Sequence, residues 1–494
     1  MRGRKSVRGI AYRLMSLRIL RWDVPKRALT TFVLMLTMLA STAAAQTLHM
    51  PPHEKYVLKN GLTVLLLEKH GVPMINLFAI VKTGSTADPA GEEGLASITA
   101  GLLRKGTKAR TAQQFAADLD YIGGEFEAEA GADFSSTGAE FLTKDLTRGL
   151  ELFSDALLYP TFPQTEVEKL LAQSIDGVRG AKDDPQQVLG LYYDAYLYGT
   201  DPYGRPAGGD EVSLQRIKRD AIAKFYETNY APGNTLLAVA GEFNGAEMRK
   251  KLDDVFGGWP ARTVAPAQIA ATAPVKGKRL LLVDKDDATQ TYFAFGNVGI
   301  ARNDPDRAAI RLVNTIFGGR FTSELNEALR VESGYTYGAS SFFDSRKAPG
   351  PFGILSFTKN ETTTPAIDLA LLVLQKLHKD GVTNEQLKSA KSYIKGQFPP
   401  NIETSRQLAR IIATNEFYGL GDDEINQLEA RVDSVTPELA KQVIQKHFPS
   451  ENLVFVLIGK ASAIGKAVDK YAEKRDARAI SEPGFWPPPS AVIK

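Results

Sequence analysis

The sequence predicts an α+β fold built from two homologous domains, each a mainly antiparallel sheet covered on one face by helices. Three observations predict it. Residues 214–241 (LQRIKRDAIAKFYETNYAPGNTLLAVAG) and 432–459 (VDSVTPELAKQVIQKHFPSENLVFVLIG) align at one constant separation, without a gap. Leu214 matches Val432, Ile217 matches Val435, Phe225 matches Val443, Tyr230 matches Phe448, Asn234 matches Asn452 and Gly241 matches Gly459. Self-similarity over such a length marks a duplicated unit. The two halves also begin alike, with two apolar strand patterns and then a helix. Finally, residues 259–278 are rich in Ala, Pro and Thr and read as the linker between halves.

The elements follow in order. Residues 62–68 form an apolar strand pattern, and a turn leads to a second strand over 75–81. Leu95, Ile98 and Leu102 recur at helical spacing. The repeat at 214–241 reads as a helix, a turn and an apolar strand ended by Gly. The second half restates this with strands over 280–284 and 292–295, a helix marked by Ala309, Leu312 and Ile316, and the repeat at 432–459. Runs of strands followed by long amphipathic helices fit sheets covered by helices. The expected division is a leader over 1–45, a first domain over 46–258, a linker over 259–278 and a second domain over 279–494.

Composition narrows the class. Of 494 residues, 43% are hydrophobic and 24% charged, with a formal net charge of +3, as in ordinary globular chains. Lys and Arg are interspersed with Asp and Glu, so no basic block points to nucleic acid. The N-terminus reads as a targeting segment. Arg2, Arg4, Lys5, Arg8, Lys26 and Arg27 precede an apolar or small-residue stretch over 29–45 that ends in an Ala43-Ala44-Ala45 cleavage signal. Translation from Met15 would shorten the basic region to a more usual length. A membrane anchor is the competing reading, but the stretch is short and rich in Ala, Ser and Thr. The expected product is an exported, most simply periplasmic, chain without a stable anchor. Export permits disulfides, yet the chain has no Cys.

The chemistry turns on residues 94–107, Gly-Leu-Ala-Ser-Ile-Thr-Ala-Gly-Leu-Leu-Arg-Lys-Gly-Thr. This frame resembles the metal helix of the inverted-motif zinc peptidases, the family of pitrilysin, insulysin and mitochondrial processing peptidase. Those read roughly Gly-Leu-Ala-His-x-x-Glu-His-Met-Leu-x-Lys-Gly-Thr. Two His at i and i+4 grip the metal from one helix face, and a carboxylate there activates water. Here Ser97 and Gly101 hold the ligand positions and Ala100 the base position, and none can do the work. The five His are His49, His53, His70, His378 and His447, with none between 70 and 378. Zinc sites need His, Cys or carboxylates, and no pair here has ligand spacing in sequence. The family's third ligand, a downstream Glu, falls in residues 174–179, which hold only Asp176, read as a solvated helix carboxylate. No metal is expected in this chain.

The resemblance spans essentially the whole mature chain and implies the duplicated architecture. In the family, two such halves form a half-shell, and two half-shells enclose a chamber. Residues 318–338, GGRFTSELNEALRVESGYTYG, resemble a family segment with Arg at a helix end and Tyr seven residues later. Arg330, Gly334 and Tyr337 hold that spacing. The resemblance implies that Arg330 and Tyr337 reach toward a zinc site, hold substrate backbone and stabilise a tetrahedral intermediate. The physics agrees. A developing oxyanion needs fixed donors, Arg offers a rigid fork, and Gly334 permits the turn that brings the two together. The competing reading has Arg330 capping its own helix and Tyr337 starting a half-buried strand.

Other motifs carry less. Tyr121-Ile-Gly-Gly-Glu reads as a helix C-cap and turn, or as a loop beside a peptide-binding edge strand. Gly318-Gly319 reads as a turn, and Lys182-Asp183-Asp184-Pro185 as a structural loop before a helix. His70 and His378 sit in polar loop contexts facing solvent. Two functional classes remain. One is a non-zinc subunit that lends Arg330 and Tyr337 to a heterodimer with a homologous zinc-bearing chain and acts on peptides. The other is a structural or peptide-binding paralogue with no catalytic partner. The retained pair favours the first. An independent hydrolase using another nucleophile has little support, since no Ser sits in a nucleophile elbow.

Overall fold

The computed structural model describes residues 49–265 and 269–485, which form one compact unit. The expected leader over 1–45 and the alternative start Met15 lie outside the described residues. The first half runs β1 (Glu54–Val57), β2 (Thr63–Glu68), β3 (Met74–Val81), α1 (Leu95–Leu102), α2 (Ala112–Tyr121), β4 (Glu125–Ala130), β5 (Ser135–Leu142), α3 (Leu146–Leu158), α4 (Gln164–Ala181), α5 (Pro185–Tyr198), α6 (Arg219–Asn229), β6 (Thr235–Gly241) and α7 (Gly245–Phe256). The second runs β7 (Arg279–Asp284), β8 (Gln290–Val298), α8 (Arg307–Phe317), β9 (Ala339–Phe343), β10 (Pro351–Lys359), α9 (Thr363–Asp380), α10 (Asn384–Gln397), α11 (Ser405–Tyr418), α12 (Pro437–His447), β11 (Val454–Gly459), α13 (Ala461–Val468) and β12 (Lys474–Ala479). Between Phe256 and Arg279 the described residues form no helix or strand.

The sheets repeat one topology. The first is ordered β1-β2-β6-β3-β5-β4 and the second β12-β7-β11-β8-β10-β9. Five strands correspond, including the single parallel contact β2·β6 and its counterpart β7·β11 within otherwise antiparallel cores. The sixth strand comes from opposite chain ends. β1 adds antiparallel to β2, and β12 adds parallel to β7. The matched glycines end strands where a neighbour crosses. A Cβ at Gly241, with φ of +144°, would stand 2.1 Å from the Met74 carbonyl oxygen, and one at Gly459 would stand 2.8 Å from Thr291 Oγ1.

The inner strands are buried on both faces. All four central residues of β2 are apolar and buried, and side chains alternate between faces. Val64 and Leu66 meet the helices of their own half, while Leu65 and Leu67 face a second core. The helix covering that second face is α11, from the other half of the chain, which packs on β3 and β6. Reciprocally, α5 packs on β8 and β11 of the second sheet. Each is the third helix after its half's edge hairpin, β4–β5 or β9–β10, so the halves exchange equivalent elements. This corrects the expectation of sheets covered on one face only. Amphipathic spacing shows that a helix has a core face but not which sheet receives it.

Each exchanged helix has polar anchors. Tyr193 donates to the Phe352 carbonyl at 2.7 Å and Tyr196 to Asp476 at 2.7 Å, both on the second sheet. Arg406 pairs with Glu125 and Glu140, and Arg410 with Glu127, on the β4–β5 hairpin. Asp184 caps α5 by accepting from the Gln186 amide at 3.0 Å, with Pro185 at the first helical position. Lys182 of the same loop is buried against Glu211 at 2.5 Å. Glu211 also accepts from the Gly484 amide at 2.8 Å, and Lys182 donates to the Glu482 carbonyl at 2.8 Å. The loop thus clasps the last described residues onto the first half.

Burial alone would raise the Glu211 carboxyl, but hydrogen bonds from Lys182 and Gly484 outweigh it and hold the group below its ordinary value. A lowered acid stabilises the fold above its unfolded pKa of 4.5 and loses that contribution as pH falls through the folded value. Glu211→Gln should cost about 3–5 kcal/mol near neutral pH, because it strands a buried ammonium. It should also flatten the acid limb of the melting curve. Melting midpoints of both proteins across pH 3–7 would check this, and parallel curves would show the clasp to be energetically idle.

Candidate active site

The helix bearing the erased motif is fixed at its start by Asp88. Its carboxylate accepts from the Gly94 and Ala96 amides, each at 2.9 Å. Burial pushes this carboxyl up to about 7, against the pull of those amides. Leu95, Ile98 and Leu102 face the core as their spacing predicts. Ser97 and Gly101 lie on another face. The Ser97 hydroxyl donates to the Ala207 carbonyl at 2.6 Å. Ala100 is buried, and a Cβ on Gly101 would stand 3.1 Å from Leu170 Cδ2 on α4. Asp176 of α4 is exposed and pairs with Arg179 at 3.3 Å. These residues do not fit a zinc ion. The motif positions offer one hydroxyl that is already bonded, and Leu170 packs where a second ligand would project.

The second half builds its candidate residues on an irregular turn. Beyond α8, the chain forms a short helical turn and then a wide one over Glu327–Glu332, where the Ser333 amide donates to the Ala328 carbonyl five residues back. Such π-turns often mark functional sites. Buried Leu329 anchors it, and the amides of Tyr335 and Thr336 both reach the Leu329 carbonyl. Gly334, with φ of +65°, makes the reversal. Ser356 donates to the Gly338 carbonyl at 3.0 Å and pins the far end.

The turn delivers Arg330 and Tyr337 to the wall of one cavity of about 950 Å³. Tyr337 is 78% exposed. The Arg330 guanidinium lies 4.5 Å over the Phe321 ring. Among the described residues neither side chain has a hydrogen-bond or ion-pair partner, so Arg330 does not cap its helix and Tyr337 is no half-buried strand residue. The floor is the α5-facing side of the second sheet beyond the helix, with Tyr292, Leu355 and Phe357, and α5 itself supplies Leu189, Tyr193 and Asp194. Gly318 explains itself here. Its carbonyl accepts from the Ser341 amide at 3.1 Å, and a Cβ would lie 2.4 Å from Ser341 Oγ. It is therefore a close approach to the edge strand β9 as well as a turn.

Sequence reasoning missed Arg346, which holds Asp194 at 2.6 Å and Asp344 at 2.7 Å. These three residues line both the large cavity and a neighbouring one of about 360 Å³. Ala207, the Ser97 partner, lines the smaller. There Asp133 accepts from Tyr203 at 2.6 Å, Tyr418 at 3.0 Å and the Lys347 amide at 2.7 Å. The erased motif and the Arg330–Tyr337 cavity are thus neighbours across the Arg346 cluster. No local pattern announces it, since Asp194 lies 152 positions from Arg346 and nearly as far from Asp344.

Two smaller readings change. His378 is in the last turn of α9, not a loop, and bonds the Phe448 carbonyl at 2.7 Å. His70 is exposed, and its hydrogen bond to Glu242 at 2.8 Å raises its pKa. Sequence spacing showed no ligand group, but packing of α8 against α12 brings ligand atoms of Asp304, Asp306 and His447 within 4.8 Å of one another. Lys446 and His447 already share Asp306, each at 2.8 Å, so the group stands as a charge cluster. Tyr121-Ile-Gly-Gly-Glu is a C-cap, with the Gly124 amide on the Leu119 carbonyl, leading into the edge strand β4. No helix among the described residues is long and apolar enough to cross a membrane.

Residues 63–211 match the model of the insulinase family, peptidase family M16, and residues 216–394 match that of the peptidase M16 inactive domain. The second match begins ahead of α6 in the first half and runs into α10 of the second. A zinc protease of Mycobacterium leprae, itself uncharacterized, is 27% identical over 79% of this chain and 89% of its own length. Another, from Bacillus subtilis, is 22% identical over 80% of this chain and 96% of its own. The crystal structure of a peptidase M16 inactive domain from Pseudomonas fluorescens covers 83% of this chain and 98% of its own, with a TM-score of 0.77 and 26% identity. A Helicobacter pylori protease shares the fold, with a TM-score of 0.76 over 83% of this chain and all of its own, at 21% identity.

Proposed function

The chain belongs to the insulinase family of peptidases, peptidase family M16, and on that premise we propose that it is the non-zinc subunit of a heteromeric exported peptidase. A homologous chain would carry the metal, and this one would contribute Arg330 and Tyr337 to a shared site acting on peptides. The observation that carries the reading is Arg330. A half-buried guanidinium without an anionic partner is an unfavourable thing to keep, and here it shares a cavity wall with an exposed, unbonded tyrosine hydroxyl. A bound peptide would supply the missing acceptor. As a carbonyl turns tetrahedral, charge grows on its oxygen, and donors already in place stabilise it without reorganising. The Leu329 anchor and the Gly334 reversal provide that fixity. The leader over 1–45 supports export to the periplasm, and the half-shell architecture of the family supports a chamber closed by the partner.

The isolated mature chain should bind no stoichiometric zinc and hydrolyse no peptide, because Ser97, Ala100 and Gly101 cannot replace the ligands and base. Co-expression with a homologue bearing the intact His-x-x-Glu-His helix should give a complex of about twice the monomer mass, with an interface well above about 1,000 Å². Zinc and peptidase activity should appear in that complex. One equivalent of zinc on the isolated chain, or turnover by it alone, would sink the reading. Separate elution of the two chains at micromolar concentration would leave a structural or peptide-binding paralogue.

A further inference from the structure

We propose that Arg320 and Arg330 together form a carboxylate receptor, so that this cavity selects peptides carrying a carboxylate beside a large apolar residue. The inference rests on the cavity being a peptide site and adds what kind of peptide it takes. Both arginines line the cavity, and Phe321, next to Arg320 in the chain, carries the Arg330 guanidinium on its ring at 4.5 Å. A guanidinium stacked on a ring keeps its in-plane N–H groups free to donate. Arg320 donates once, from Nη1 to Ser389 at 3.0 Å, and lies 5.8 Å over Tyr393. Its Nε is buried without a hydrogen-bond partner. Among the described residues no carboxylate pairs with either arginine.

The acids that line the cavity are elsewhere and already used. Asp194 and Asp344 both pair with Arg346. The cavity therefore has an acidic end, where two carboxylates share the one Arg346 guanidinium, and a cationic end at Arg320 and Arg330. Its floor is apolar, with Tyr292 and Phe357 stacked at 5.3 Å and Leu355 beside them. A planar fork matches a carboxylate bidentately, and the floor takes an apolar side chain. A peptide C-terminus and an Asp or Glu side chain present the same group, so either could supply it.

The test is fluorescence anisotropy of the full mature chain with four labelled peptides sharing one Phe-containing core. One ends in a free carboxylate after Phe, and one is amidated. A third is amidated with Glu beside Phe, and the fourth is amidated with Lys there. At least one carboxylate peptide should bind about tenfold or more tighter than the neutral amide, the Lys peptide should bind weakest, and the better of the two anionic peptides names the source. The preference should shrink toward parity at about 0.5 M salt, where screening is short-ranged. It should also shrink in Arg320→Gln and Arg330→Gln chains that melt like wild type. The salt series on wild-type protein serves even if a variant does not fold. Equal affinity for neutral and anionic peptides overturns the proposal, as does failure of the anionic peptides to saturate. Either failure leaves subunit pairing standing, because pairing is read separately by co-elution.

Discussion

Tyr337→Phe should lower turnover of the assembled pair by about 10²–10³, near 3–4 kcal/mol of transition-state stabilisation, the usual loss for one oxyanion donor. The fold should not notice the change. The hydroxyl has no partner among the described residues, and the ring is largely exposed. Arg330→Ala should be at least as damaging to turnover, since charge and fork geometry vanish together. Its structural cost is limited to the contact of this half-buried guanidinium with Phe321, about 0.5–2 kcal/mol. Neither change should reduce zinc content, because the metal would sit in the other chain. Steady-state kinetics, melting curves and metal analysis on the same preparations separate the roles. Wild-type turnover in both mutant complexes would make the pair scaffold.

Ala413→Asp should unfold both halves in one step and cost about 3–5 kcal/mol or more. Ala413 is fully buried on α11, which lies on the first sheet. A carboxylate there would be charged with no partner, or would remain protonated and unsatisfied. Because α11 belongs to the second half by sequence and to the first sheet by packing, the damage cannot stay local. A contrasting change on the same helix, Arg410→Ala, removes a partly exposed pair with Glu127 and a guanidinium contact 5.0 Å over the Phe78 ring, and should cost only about 1 kcal/mol. Thermal unfolding followed by circular dichroism should show one transition moved far down for Ala413→Asp and hardly moved for Arg410→Ala. Two separate transitions, with one half retained, would mean that the exchange is not energetically binding.

Local chemistry made much of this molecule legible. Thr63–Glu68 reads as an apolar strand and is one, though the second buried face was not foreseen. The repeat ending in Gly241 and Gly459 marks equivalent strands in equivalent sheets. Ser97, Ala100 and Gly101 were readable as non-ligands from side-chain chemistry alone. The spacing of Arg330, Gly334 and Tyr337 pointed to convergence, and the turn places both side chains on one cavity. What stayed hidden depends on partners distant in sequence. The apolar stripes of α5 and α11 look alike whichever sheet they meet. Lys182 reads as an ordinary polar loop residue until Glu211 and the segment after β12 close on it. Arg346 acquires its meaning only beside Asp194, and His447 only beside Asp304 and Asp306.

The exchange of α5 and α11 also fixes an order of events during synthesis. The strands of the first sheet emerge early, but the face formed by Leu65, Leu67, Phe78 and Ile80 has no cover until α11 has been made. Contacts such as Arg406 with Glu140, 266 positions apart, cannot form sooner. Long-range closure of this kind slows folding and prolongs the life of a chain with bare apolar surface. The nascent first half is therefore a client for a holding chaperone, and a ribosome stalled before codon 405 should leave a nascent chain that aggregates or stays chaperone-bound while release of the full length folds both halves together.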